Sequence, residues 1–228
     1  MIENIIKLWD KYWILFLQGL GVTLVLSLIT VICGCILGFL LTLLRRSRLR
    51  IFHFRPLNAI AATYIEIIRG TPILLQLYFF YFLLPSLLPA LNPSKFVCCT
   101  VALCLNSSAY VSEVIRAGIQ AVDKGQTEAA RSLGLDSRQT MIHVVLPQAL
   151  KNILPALGNE FIMMIKETSL ASTFFLGELM TVYRTINGAL YLTIEPLIIV
   201  GIIYFVVTFT LSKGVRFMEQ RMTAKAAV

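Results

Sequence analysis

The chain has 228 residues, of which 57% are hydrophobic and 14% charged, with a mean hydropathy of +0.80. So apolar a composition excludes an ordinary soluble domain and makes the bilayer the solvent. The net charge of +8 could suit nucleic acid, but the basic residues gather at the ends of apolar segments rather than along one polar face, so positive-inside flanks are expected and no nucleic-acid partner.

The first apolar run, uncharged over residues 13–44, is far too long for a signal-peptide core and exceeds the ~30 Å hydrocarbon thickness at ~1.5 Å per residue. Its helix must tilt or project, and it stays in the mature protein. Nearly uncharged stretches predict five spans, at residues 14–44, 57–84, 96–116, 152–176 and 196–212. The expected fold class is therefore an all-α integral membrane protein with about five transmembrane helices. Arg45, Arg46, Arg48, Arg50 and Arg55 form the densest basic cluster, which assigns that connection to the cytoplasm. It follows that the N-terminus is outside and the C-terminus cytoplasmic. Residues 85–95 and 177–195 then fall outside, while 117–151 and the tail with Lys213, Arg216, Arg221 and Lys225 fall inside.

Two of these spans are irregular. Gly70-Thr71-Pro72 interrupts the second, where proline removes a backbone donor and disfavours helix at the residue before it. In the fourth, Lys166-Glu167-Thr168-Ser169 brings charge and hydroxyls into an apolar run, tolerated at membrane depth only against protein or a watery cavity. Gly34 and Gly38 have the spacing of closely packed membrane helices, within the chain or between chains. The five cysteines, Cys33, Cys35, Cys98, Cys99 and Cys104, lie in apolar segments and read as small hydrophobes rather than disulfides or metal ligands. His53 and His143 have no second ligand nearby, and the Tyr78–Phe82 run reads as lipid-facing or interfacial.

The longest cytoplasmic connection, residues 117–151, is too polar to span and too patterned for disorder. Residues 126–133 favour helix, Gly134 suits a C-terminal cap, and Asp136 or Ser137 can cap a second helix, so the prediction is helix, glycine turn, helix. Glu128-Ala129-Ala130, Gly134, Val144, Leu146 and Pro147 stand at the intervals of a signature that reads Glu-Ala-Ala, three residues, Gly, nine residues, Ile, any residue, Leu-Pro. On these residues the chain resembles the permeases of bacterial binding-protein-dependent ABC importers, with Val144 for isoleucine the single departure. Residues 64–72, 108–118, Gly125-Gln126, Asn159-Glu160 and 166–170 resemble the polar amino acid branch.

That resemblance implies the type I importer permease fold over residues 19–217, with 1–18 an extracytoplasmic segment and 218–228 a cytoplasmic tail. It implies that the loop around Glu128, Ala129, Ala130, Gly134, Leu146 and Pro147 docks on a separate ATP-binding cassette ATPase, which binds the ATP and magnesium; no cofactor is expected in this chain. The further partners it implies are a second permease, identical or paralogous, an extracytoplasmic amino-acid-binding protein and an amino acid substrate, in the bacterial inner or plasma membrane.

Ionisable residues at depth cost at least ~2.5 kcal/mol each and need partners or water. Glu66, Arg69, Lys166 and Glu167 either pair with one another, locking the break regions, or lie near the cytoplasmic interface. Alternatively some line the substrate pathway. Asn159, Glu160, Met163 and Glu167 can share a helix face, with acceptors for an amino group, while broken helix ends near Thr71 or at Thr168-Ser169 can offer donors to a carboxylate. No stretch reads Gly-x-x-x-x-Gly-Lys followed by Ser or Thr, so ATP hydrolysis is not expected of this chain, and zinc-protease and nucleophile-elbow motifs are also missing. A channel or secondary carrier for small polar solutes would explain the buried charges but not the cytoplasmic signature.

Overall fold

The computed structural model describes residues 1–46 and 56–224. Arg48, Arg50, His53 and Arg55 of the basic connection, and Lys225 of the tail, lie outside the described residues. Among the described residues nine α-helices follow in order: α1 (Ile2–Arg46), α2 (Pro56–Gly70), α3 (Ile73–Leu87), α4 (Lys95–Gln120), α5 (Lys124–Ser132), α6 (Ser137–Thr140), α7 (Leu146–Glu167), α8 (Leu179–Leu190) and α9 (Ile194–Ala224). Among the described residues there is no strand, in keeping with a chain whose backbone must satisfy itself in lipid.

By length and composition α1, α4 and α9 can each cross a membrane, and α2 with α3 makes a fourth span if the bent pair counts as one. The remaining expected span, at residues 152–176, corresponds to α7, which carries Asn152, Asn159, Glu160, Lys166 and Glu167 and so falls short on composition alone. Neither expected boundary, at 18/19 or at 217/218, interrupts a helix: α1 and α9 run through them.

Helix α4 is the most enclosed of the long helices and packs against α1, α2, α3 and α7. Its approach to α1 depends on the two glycines. A Cβ at Gly34 would come within 2.5 Å of Ser107 Oγ, and one at Gly38 within 2.8 Å of the Ser108 carbonyl oxygen. Small residues let the backbones meet where lipid supplies no hydrophobic drive, so the Gly34/Gly38 spacing serves packing within the chain. Three buried hydroxyls along α1 are satisfied by their own helix: Thr23 donates to the Gly19 carbonyl (2.9 Å), Ser27 to the Thr23 carbonyl (2.7 Å) and Thr42 to the Gly38 carbonyl (2.8 Å).

Two apolar clusters flank this axis. One joins Leu26, Leu77, Cys99, Leu103 and Phe174, and the other joins Phe16, Leu179, Val182, Ile186 and Ile199. The Tyr78–Phe82 run divides between the first cluster, where Phe80 and Tyr81 pack, and the exposed surface. Tyr81 stacks on Phe174 at 4.4 Å between ring centroids, whereas Phe79 and Phe82 are exposed. Helix α8 lies in the segment that the sequence reads as a plain outer connection. Glu178, fully buried, caps it by accepting from the Met180 and Thr181 amides at 2.6 and 2.7 Å, and Leu179, Val182 and Ile186 face the second cluster.

Candidate functional site: the capped loop and the buried polar residues

The loop between α4 and α7 is built from local signals. Asp123 caps α5 by accepting from the Gly125 amide (2.6 Å). The helix ends in a Schellman turn: the Gly134 amide donates to the Arg131 carbonyl (3.0 Å) and the Leu135 amide to the Ala130 carbonyl (3.2 Å). Gly134 sits at φ +89°, where a side chain is strained. Asp136 then opens α6, accepting from Arg138 and Gln139 amides at 2.7 and 2.8 Å, while Gln139 Oε1 accepts from the Asp136 amide, completing a capping box. The predicted helix, glycine turn and helix are all present, and Asp136 rather than Ser137 is the cap.

Within the signature, Ala130 is buried while Glu128 and Ala129 face outward. Leu133, at the tip beside Gly134, is 84% exposed. Between α6 and α7 the chain makes one π-helical turn, Met141–Val145, and the Leu146 amide reaches back five residues to the Met141 carbonyl. Pro147 explains it, since it has no N–H for the His143 carbonyl and its ring would crowd that oxygen in an α-helical turn. Gln148 Nε2 donates to Gln126 Oε1 (3.2 Å) and to the Val144 carbonyl (3.1 Å), tying α5 to α7. The sequence reading missed Gln148; a side-chain amide beside the Leu-Pro pair was its one signal. His143 is exposed, and no cluster of metal-ligating side chains occurs among the described residues.

The intramembrane residues divide among three environments. At the break, α2 and α3 meet at 110°. Gln76, buried at 6% exposure, spans it: Nε2 lies 2.8 Å from the Ile68 carbonyl, 3.1 Å from the Thr71 carbonyl and 2.8 Å from Thr71 Oγ1, and Oε1 accepts from Asn106 (2.9 Å). Backbone oxygens that Pro72 leaves without helical partners are met by a side chain. Thr71 is thus part of the break's own bonding, and its hydroxyl donates to the Ile67 carbonyl at 2.8 Å. Gln76, four residues past a proline in an apolar run, was legible but not singled out.

At the ends of α1, α2 and α4, Glu113 gathers three cations. Arg45 and Arg116 hydrogen-bond to it, the latter from Nε at 2.9 Å, and Arg69 Nη1 stands 3.7 Å away with its guanidinium 5.6 Å from the Tyr110 ring centre. Arg69 therefore pairs with Glu113 rather than with a residue of α7. Glu66 is exposed on α2.

On α7, Glu160 is buried at 6% exposure and accepts from Ser107 Oγ of α4 (3.1 Å). Asn159 is exposed, Met163 and Glu167 are half-buried beside Glu160 on the helix face, and Lys166 is exposed. Ion pairs from Glu160 to Lys166 or Arg69 are not formed among the described residues. Helix α7 stops at Glu167 and a 3-10 turn, Thr168–Phe174, continues the chain. Thr168, buried, donates to the Ile165 carbonyl (2.8 Å). Ser169 and Lys166 line a cleft of about 290 Å³ beside Met180 and Tyr204. Helix α4 packs between the two sets, so Glu66, Arg69 and Thr71 approach it from one element and the α7 residues from another.

The described residues thus form an all-helical assembly with a broken span and a doubly capped loop. Residues 34–224 match the family described as the binding-protein-dependent transport system inner membrane component, and the chain belongs to that family. It is 44% identical to the arginine transport system permease protein ArtQ of Bacillus subtilis over 90% of this chain and 91% of that one. It is 40% identical to a putative glutamine transport system permease protein GlnP of Rickettsia bellii, over 97% and 99% of the two chains. A crystal structure of an amino acid ABC transporter with histidines superposes with a TM-score of 0.86 at 45% identity, covering 93% of this chain and 96% of that one. An inward-facing structure of the MetNI methionine ABC transporter, 17% identical at a TM-score of 0.71, shares the fold. The chain is thus an inner-membrane transport component with a type I importer permease fold.

Proposed function

We propose that the chain forms, with a second permease, the translocation pathway of an ATP-driven importer for polar amino acids. The observation that carries this reading is the loop from Asp123 to Pro147, whose two capped helices, φ-positive Gly134 and protruding Leu133 make a stiff, exposed lever. Glu128, Ala129, Ala130, Gly134, Leu146 and Pro147 couple it to a separate ATPase that binds ATP and magnesium. Closure of two such ATPases draws the loops together and opens the pathway toward an extracytoplasmic binding protein; hydrolysis returns it. Cationic amino acids come first in the screen because one relative, 44% identical, is an arginine transport system permease protein and another, 45% identical, is an amino acid ABC transporter whose crystal structure is with histidines.

In this reading Glu160, Met163, Glu167 and Asn159 face the solute with Thr168 and Ser169, while Glu66, Arg69 and Thr71 flank the broken span. The test is reconstitution with the ATPase and binding protein, screening amino acids for stimulated ATP hydrolysis. Glu160→Gln keeps an acceptor for Ser107, so the fold is expected to survive while the concentration of a cationic amino acid for half-maximal uptake rises about tenfold, roughly one lost charge interaction in a screened but partly dry site. Uptake unchanged at every concentration would remove Glu160 from the pathway, and an absence of stimulation by any amino acid would sink the substrate class.

The proposed orientation has the N-terminus outside and the C-terminus cytoplasmic. In a cysteine-free background, an impermeant thiol reagent is expected to label Ser94→Cys in intact cells and Gln139→Cys only after the membrane is opened. The reverse pattern would invert the topology.

A further inference from the structure

The ends of α1 and α4 and the loop helices line an open cavity of about 880 Å³. Arg46, Lys124, Arg131 and Arg138 line it, with Thr127 and Ser137, and no carboxylate does. None of these four cations takes part in an ion pair among the described residues. Arg131 is held by a neutral partner, donating to Ser137 Oγ at 2.6 Å. Of the acids on the loop, Asp123 and Asp136 each turn Oδ1 to backbone amides, of Gly125 and of Arg138 and Gln139, and neither they nor Glu128 form an ion pair with the four cations.

A neighbouring cavity makes the contrast. It measures about 360 Å³, shares Arg46, and is lined by Arg45 and Arg116, but there Glu113 neutralises the guanidinium groups from within the chain. The larger cavity has no such internal counter-ion. Converging cations without one raise each other's energy and hold a standing attraction for a phosphate-bearing anion. The position selects its source. Arg46 ends a helix that is apolar up to Leu44, and Ile119, Met141 and Val145 add apolar wall beside the cations, so the site offers charge for a headgroup and hydrocarbon for what hangs from it.

We infer that this cavity binds the phosphate-bearing headgroup of an anionic phospholipid, wedged between the membrane surface and the coupling loop. The assignment rests on the cytoplasmic placement of that loop proposed above, but not on the solute carried. Lipid seated there braces α5 and α6 against the ends of α1 and α4.

The experiment is native mass spectrometry of the purified permease–ATPase complex titrated with phosphatidylglycerol and, separately, with phosphatidylcholine. The wild-type complex is expected to retain phosphatidylglycerol selectively, and excess inorganic phosphate is expected not to displace it. Each neutralised cation should weaken retention about fivefold, so Arg131→Gln/Arg138→Gln weakens it about 25-fold and Lys124→Gln, which removes one charge, about fivefold. Arg184→Gln, an exposed cation on α8, is expected to have no effect. Unchanged retention in both cavity variants would overturn the site. Displacement by inorganic phosphate would reassign it to a soluble anion and overturn the lipid. Loss of the ATPase from the variant complexes with lipid retention intact would assign the cations to an acidic protein partner and likewise overturn it. Failure of the solute screen alone would leave these lipid measurements standing, so the two readings fail separately.

Discussion

Gly134→Asp is expected to abolish transport while leaving the protein inserted in the membrane. The open space around Gly134 means that the added side chain clashes with nothing; a Cβ there would have no neighbour within 4 Å. The loss comes from backbone strain together with the charge that the carboxylate brings to the tip. At φ +89° an L-residue is strained by about 1–2 kcal/mol, and relief of that strain unwinds the Schellman bonds from Gly134 to Arg131 and from Leu135 to Ala130. Leu133 would then no longer project from a fixed helix end, and a carboxylate would stand at the tip of the lever. Because only the loop is affected, the spans should insert normally. Substitutions should rank by their tolerance of positive φ: Gly134→Asn retains a good part of uptake, Gly134→Ala less, and Gly134→Val little. Uptake and co-purification with the ATPase, measured together, check the series. Normal uptake in Gly134→Asp would remove the turn from the coupling machinery, and Glu128→Lys, which alters charge without touching the turn, tests the same docking face independently.

Gln76→Leu is expected to give the largest loss of stability of any single substitution considered. Its amide has two N–H bonds for three acceptors at the break, the Ile68 and Thr71 carbonyls and the Thr71 hydroxyl, and its oxygen holds Asn106. Leucine fills similar space but leaves those carbonyls and the Asn106 amide unmet in a buried setting. Counting the two fully buried groups, the Ile68 carbonyl and the Asn106 amide, at about 1–3 kcal/mol each, a loss of about 2–6 kcal/mol follows, with the helices on either side of the 110° bend free to slip. Thermal unfolding of the purified complex should show it, and uptake should fall with it. A double-mutant cycle separates the amide from mere volume. Asn106→Leu in the Gln76→Leu background removes one orphaned donor, so the pair should be less damaging than the sum of the singles by about 1 kcal/mol. Strict additivity would mean that the two amides do not depend on each other.

The membrane class, the break at Gly70–Pro72 and the capped loop were legible because each is specified locally. Composition names the solvent, proline removes a donor wherever it stands, and Asp136, Gly134 and Gln139 act within a few residues of one another. The family signature adds fixed intervals over the same short stretch. Partnerships across the chain were not legible. Sequence periodicity put Asn159, Glu160, Met163 and Glu167 on one face, but not that Glu160 turns to Ser107 of α4, and it offered Arg69 as a partner for α7 when Glu113 holds it. Helix α8 was read as a connection because twelve residues with Asn187 and Gly188 are too few and too polar to announce a span, and its apolar stripe finds meaning only against Phe16 and Ile199.

By itself, then, the sequence determined what is covalent or nearly so: which segments prefer lipid, where the backbone must break, and where a helix begins and ends. Tertiary structure decided which buried polar group meets which, how Gln76 bridges the bend, and that Glu113 collects three arginines while a neighbouring set of four cations forms no ion pair among the described residues. The reason is physical: caps and prolines act over one helical turn, whereas the energy of a charge or an amide at membrane depth is set by groups tens of residues away, such as Ser107 for Glu160, that are brought beside it only when the helices pack.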